Sequence, residues 1–219
     1  LRYKMKYTKI KIYFFLFIFG SFICACVPKY NPNAGGYIDT NKSTDDNDRS
    51  FSPFYVYEDF PSSNNHYAPS GWMGDVANLD FDSSYTQDTQ KGRTCLKIKY
   101  VPEGIKQWAG VYWQHPVNNW GDKNGGYNIT GAKKLTFWAK GAQGNEVITE
   151  VKIGGISGKF SDSDVAWLKE LKLTREWKQY TIDLSKSDLS SISGGFCIVF
   201  SKKDNPRGCT VYLDEIRYE

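Results

Sequence analysis

CLKIKYV, residues 95–101, sets Leu96, Ile98 and Tyr100 on one side of an extended chain and Lys97 and Lys99 on the other. A strand written this way has one face in a core and one toward water. KQYTIDL, residues 178–184, repeats the pattern, with Tyr180, Ile182 and Leu184 opposite Gln179, Thr181 and Asp183. Working outward, the same period of two predicts strands over 54–60, 95–101, 109–114, 134–139, 147–153, 169–173, 178–184, 196–201 and 209–216. Only residues 187–191 read as a short helix. Pro-Glu-Gly, Asn-Gly-Gly, Gly-Gly and Asp-Asn-Pro-Arg-Gly punctuate the strands and supply turn geometry. The expectation is an all-β domain in which two sheets enclose the core, a β-sandwich of jelly-roll type.

The first fifty residues have a different character. Lys4–Lys11 is positive and IYFFLFIF (residues 12–19) is uninterruptedly apolar, the order of an export signal and short of a bilayer span. It ends in Ile23-Cys24-Ala25-Cys26, which resembles the bacterial lipobox. Cys26 is the better candidate for lipidation, because Ile23 then lies three residues before it and Ala25 one before; ordinary signal cleavage and an uncleaved anchor are the alternatives. Residues 26–50, rich in Pro, Asn, Gly, Asp and Ser, have no apolar periodicity and read as a flexible tether. The expected organisation is a lipoprotein signal peptide over 1–25, a tether over 26–50 and one folded domain over 51–219. The chain would be exported and held by lipid on the membrane of the cell envelope.

Charge narrows the partners. The net charge of +4 comes from 28 Lys and Arg against 24 Asp and Glu, and five of the basic residues (Arg2, Lys4, Lys6, Lys9, Lys11) lie in the leader. Without them the balance is −1, which argues against a nucleic-acid binder, since phosphate binding needs a concentrated basic face. The only two histidines, His66 and His115, stand far apart with no Ser or Cys motif beside them. A catalytic triad therefore has no support.

WAGVYWQHPVNNWG (108–121), GGYNITGAKKLTFWAKG (125–141), EWKQYTIDLSKSDL (176–189) and NPRGCTVYLDEIRYE (205–219) resemble galactose-binding-domain-like jelly rolls. Among these they are similar to carbohydrate-binding modules, family 11 among them, that accompany bacterial glycan-degrading enzymes or stand on exported lipoproteins. The closing run, aromatic-Leu-Asp-acidic-Ile-Arg-Tyr, is the most specific for fold. The resemblance implies non-catalytic binding of a polysaccharide or oligosaccharide by a monomer. Two other readings stay open: the same sandwich docking onto an envelope protein with its tryptophans buried, and a glycan-active enzyme.

A sugar ring has an apolar C–H face and a rim of hydroxyls, so its receptor needs an exposed aromatic plane with hydrogen-bonding groups beside it. Three of the seven tryptophans fall between residues 108 and 120, with Gln114, Asn118 and Asn119. Alternation places Trp108, Tyr112 and Gln114 on one strand face and Ala109, Val111 and Trp113, the more apolar set, on the core face. Trp108, Tyr112 and Gln114 are thus the candidate ligand contacts, with Trp120 and Tyr127 on adjoining loops. Trp138, opposite Leu135 and Phe137 in its strand, either extends this platform or is covered. Large aromatics filling the core are the competing reading throughout.

The resemblance also implies a structural Ca²⁺ shared between acids near the two ends of such jelly rolls, here Asp214 with Glu58 or Asp59. The alternative is solvated edge charges or pairing with Arg217. No pair of carboxylates is isolated in the manner of a glycosidase, and Asp162 and Asp164 read as turn formers. Cys95, Cys197 and Cys209 are expected as buried free thiols, a bridge through Cys95 being the alternative. Cys197 and Cys209 lie too far out of register for a disulfide.

Overall fold

The computed structural model describes residues 51–219; the predicted leader 1–25, the lipidation site Cys26 and the tether 26–50 lie outside the described residues. Eleven strands follow in order: β1 (Phe54–Tyr57), β2 (Ala68–Gly74), β3 (Leu79–Tyr85), β4 (Cys95–Tyr100), β5 (Trp108–Gln114), β6 (Lys134–Gly141), β7 (Val147–Gly154), β8 (Val165–Lys172), β9 (Lys178–Asp183), β10 (Gly194–Ser201) and β11 (Cys209–Tyr218). One sheet has six strands, β3-β4-β11-β6-β9 with β1 also paired to β11; the other has five, β2-β5-β10-β7-β8. Every pairing is antiparallel. This is the expected sandwich of two sheets.

The ten-residue β11 organises the six-stranded sheet. Cys209–Leu213 pairs with β4, and Ile216–Tyr218 pairs with β1 on the same edge. The changeover falls at Glu215, where φ is +49° and the register against β6 shifts. The core lies between the sheets. Leu96, Ile98, Leu135, Phe137, Val211 and Leu213 come from one and Ala109, Val111, Trp113, Phe196, Ile198 and Phe200 from the other, all at most 1% exposed. Each of the larger aliphatic and phenyl side chains contributes about 1.5–3 kcal/mol by leaving water.

Two strands have no counterpart in the sequence expectation. β2 (APSGWMG) carries a proline and two glycines, and β3 (LDFDSSY) is rich in Asp and Ser. Both sit at sheet edges, where Pro is tolerated and polar residues discourage further pairing. β8 begins four residues earlier than predicted, at Val165. No helix forms over 187–191; the chain there turns and is held by Ser163, whose hydroxyl donates to the Asp188 carbonyl. Cys95, Cys197 and Cys209 are free and buried, as expected.

Candidate functional site

The outer face of the five-stranded sheet is built by register. Across the strands Gly71, Tyr112, Cys197, Lys152 and Trp167 stand in one row. Met73, Gly110, Val199, Glu150 and Lys169 form the next. Trp108 opposite Ser201 begins a third. At about 4.8 Å per strand, Tyr112 and Trp167 are separated by three spacings, ~14 Å. Trp167 is 51% exposed on edge strand β8, with the Lys169 ammonium 5.1 Å from its ring centre. Trp120 is 44% exposed and meets Tyr112 edge to face at 6.1 Å.

Between these two indoles the floor is polar and ionic. Lys152 Nζ lies 3.3 Å from Glu150 Oε1 and 5.4 Å above the Tyr112 ring. Beneath, Tyr112, Ile156 and Cys197 form a small buried cluster, flanked by Met73 and Val199. Burial pushes the Cys197 thiol far up, so it is held as a neutral thiol under the floor.

Of the residues expected to face ligand, the structure brings some to this surface and removes others. Tyr112 and Gln114 are on the predicted face but are buried, 3% and 1% exposed. Tyr112 is roofed by Lys152 and Trp120 and donates its hydroxyl to the Gly154 carbonyl, so its ring offers no open plane. Gln114 is a brace. Its Nε2 donates to the Asn119 carbonyl and its Oε1 accepts from Ser70 Oγ, fixing the loop that carries Trp120. Gly71 makes this possible, because a Cβ there would lie 2.8 Å from Gln114 Cδ and Tyr112 Cβ. Trp108 is half-buried on the face. Tyr127 is half-buried away from it, stacked on His115 at 4.1 Å and wedged against Phe54 and Tyr67. His115 and Tyr127 bound the loop 116–126 and clasp its neck, with Gly126 N donating to the His115 carbonyl. Trp138 lies on the outer face of the other sheet, in register with Asp214, and does not extend the platform. Replacing Gln114 by Ala is expected to cost about 1–2 kcal/mol in denaturant unfolding, because the buried Asn119 carbonyl loses its donor.

Trp167, Lys152 and Glu150 escaped the sequence reading. The available signal was alternation in VAWLKELK, which pairs core-facing Ala166 and Leu168 with outward Trp167 and Lys169.

The acids assigned to calcium do not converge on an ion. Asp59 Oδ1 accepts from the Arg93 and Thr94 amides and from Thr94 Oγ1. Asp214 Oδ2 accepts from the Gln90 and Lys91 amides and Oδ1 from the Glu215 amide. Glu58 Oε2 accepts from Ser62 Oγ and Asn64 Nδ2. Donor hydrogens directed at a carboxylate occupy the lone pairs a cation would need, so Glu58, Asp59 and Asp214 do not fit the ion as a set. Among the described residues no group of three or more His, Cys, Asp or Glu is placed to hold a metal. Asp59 and Asp214 instead fasten the loop 86–94 to the six-stranded sheet. Asp162 likewise ties loops rather than shaping one turn, accepting from the Ser193 amide at Oδ1 and the Ile156 amide at Oδ2.

The family model described as carbohydrate binding domain 30 matches residues 55–219. Two crystal structures of family 30 carbohydrate-binding modules superpose on the chain. One has a TM-score of 0.54 at 13% identity, over 77% of this chain and 98% of that one. The other has a TM-score of 0.52 at 15% identity, over 78% and 88%. A family 11 module from a cellulosomal cellulase of Clostridium thermocellum follows at 0.47 and 15% identity, over 74% and 91%. No curated protein matches the chain. The two family 30 likenesses support the sandwich, and the model match, which spans the whole described domain but for its first residues, places this chain in the family of carbohydrate binding domain 30.

Proposed function

We propose that the outer face of the five-stranded sheet binds a neutral polysaccharide or oligosaccharide without transforming it, the sugar chain lying across the strands and stacking on Trp120 and Trp167. The observation that carries this reading is the pair of exposed indoles on one sheet face with an ion pair between them. The indoles offer apolar planes to C–H faces. Lys152 donates and Glu150 accepts, which suits vicinal hydroxyls, and their mutual compensation leaves little net charge to attract an acidic glycan. The family membership supports the class of ligand. The leader and Cys26 support export and attachment to the membrane by lipid.

The test is affinity electrophoresis and calorimetry of the protein against soluble β-glucans, xylans and mannans. At least one neutral glycan is expected to bind, and Trp167→Ala to weaken it by about 10- to 100-fold, since a stacked face hides roughly 100 Å² of apolar surface. Lys152→Met is expected to weaken the same glycan about 10-fold or more through loss of one charged hydrogen bond. Binding that is indifferent to both substitutions would place the ligand elsewhere on the molecule.

A further inference from the structure

Trp120 and Trp167 reach the sheet face from unrelated places. Trp167 is fixed on β8 by its register with Lys152, whereas Trp120 rides on the loop 116–126, so the spacing of the two indoles depends on how firmly that loop is held. The loop rests on the β7–β8 connection, residues 155–164, backbone against backbone. Phe160 N donates to the Gly121 carbonyl at 2.9 Å, and at Gly121, where φ is +88°, a Cβ would lie 2.3 Å from the Ser157 carbonyl oxygen. A Cβ on Gly158 would lie 2.7 Å from the Gly121 carbonyl oxygen. Only glycines let the two segments come this close.

A line of buried polar side chains holds this junction from beneath. Asn119, next to Trp120, is 0% exposed, so it turns inward and offers nothing to a ligand. Its side-chain amide is fully paired: Oδ1 accepts from the Gly121 and Lys123 amides, and Nδ2 donates to the Lys123 carbonyl and to Ser193 Oγ. Ser193, buried just before β10, is the crossing point. Its carbonyl accepts from the His115 amide at the root of the Trp120 loop, and its own amide donates to Asp162 Oδ1 in the β7–β8 connection. Asp162 Oδ2 accepts from the Ile156 amide and closes that connection on itself.

A buried amide is costly unless each of its groups is paired, and a complete set of partners at this place ties three segments into one arrangement. We propose, on the glycan reading of the sheet face, that Asn119 acts through Ser193 and Asp162 as the positioning residue that fixes the separation of the Trp120 and Trp167 planes and so decides which neutral glycan the face prefers. None of the three touches the sugar. Two planes held at one separation match one spacing of sugar rings and lose no loop entropy on binding, whereas a loose Trp120 stacks on any chain, more weakly.

The experiment combines calorimetry of the full chain against soluble neutral β-glucans, xylans and mannans with ¹⁹F spectra of protein labelled with 5-fluorotryptophan. Asn119→Ala is expected to weaken the preferred glycan about tenfold and to shrink its advantage over the next-best glycan by about threefold or more. The Trp120 resonance, assigned with Trp120→Phe, is expected to move toward that of the free amino acid. Ser193→Ala removes only one acceptor of Asn119 and is expected to give the same pattern at about threefold in affinity. It carries the test should Asn119→Ala fail to fold. Asn205→Ala controls for simple destabilisation. Asn205 is buried in the β10–β11 loop at the other end of the sandwich, and its side-chain amide clasps the Val147 amide and carbonyl. Its loss is expected to lower the urea midpoint and leave glycan affinity and preference as in wild type. An unchanged preference in Asn119→Ala and Ser193→Ala, or an equal loss in Asn205→Ala, would overturn the assignment. The ¹⁹F arm needs no ligand: a wild type that binds no neutral glycan overturns the reading of the face, whereas an unmoved Trp120 resonance in Asn119→Ala overturns the positioning role whether or not a glycan binds.

Discussion

Raising the pH from about 4 to about 7 is expected to cost the fold up to about 4 kcal/mol, and Asp214→Asn to remove most of that loss. Asp214 sits on β11 with no exposed surface. Burial pushes its carboxyl up to about 7, against three backbone amides that hold it down, and the Glu215 carboxylate beside it adds a smaller upward push. The sign follows from which state keeps the proton. Between the unfolded value near 4 and the folded value near 7 the folded chain is protonated at Asp214 and the unfolded chain is not, so stability falls as pH rises through that window. Asp162, also raised by burial, acts in the same direction. Asp59, whose carboxyl is held low by the Thr94 and Arg93 amides, acts oppositely and only in acid, losing its contribution as pH falls through its folded value. Stability should therefore peak on the acid side of neutrality. Urea midpoints measured from pH 4 to pH 8 on wild type and Asp214→Asn check this. A flat wild-type profile over that range would mean that the three amide donors outweigh burial and keep Asp214 ionised.

Asp214 also shows how much of the molecule is legible in the chain. The residue is conspicuous in YLDEIRY, and its place near the first strand is what the resemblance to jelly rolls implies. What it binds is not implied: its partners are the amides of Gln90 and Lys91, more than 120 residues away in a loop with no periodicity. Strands with one wet face announce themselves, as in CLKIKYV, because burial forces alternation. Ala68–Gly74 does not, because an edge strand with a proline and glycines fits tightly against Trp108, Tyr112 and Gln114 through the side chains it lacks.

The site follows the same division. Alternation puts Tyr112 and Gln114 on the outward face of β5, correctly, but outward is not the same as exposed. Whether a ring on that face is open depends on which loop crosses it, and here the Pro116–Gly126 loop and Lys152 cover Tyr112 while Trp120 takes the surface. A tryptophan cluster in sequence is a weaker guide than it looks. Trp113 fills the core, and the exposed indole on the same sheet face as Trp120 is Trp167, 47 positions along the chain.

Replacing both Trp120 and Trp167 by alanine is expected to reduce glycan affinity by about 10³-fold or more, the largest effect that any substitution on this surface should produce. Each indole hides roughly 100 Å² of apolar area from water when a sugar stacks on it, about 2.5 kcal/mol, and each 1.4 kcal/mol is a factor of ten. Tyr112, which Trp120 overlies, is three strands from Trp167 in register, ~14 Å, so the two losses should add. Both side chains project from the surface, so unfolding free energy should change by no more than about 1 kcal/mol, most of it from the Trp120 edge contact with Tyr112. That separation between binding and stability is the diagnostic. If the tryptophans instead serve a protein interface, the double variant will bind every glycan as wild type does. If they are parts of the fold, unfolding will shift as strongly as binding. Calorimetry with the best-bound neutral glycan, alongside urea unfolding of both single variants and the double, distinguishes the three, and only a large additive loss of affinity at near-constant stability fits a glycan chain spanning the sheet from Trp120 to Trp167.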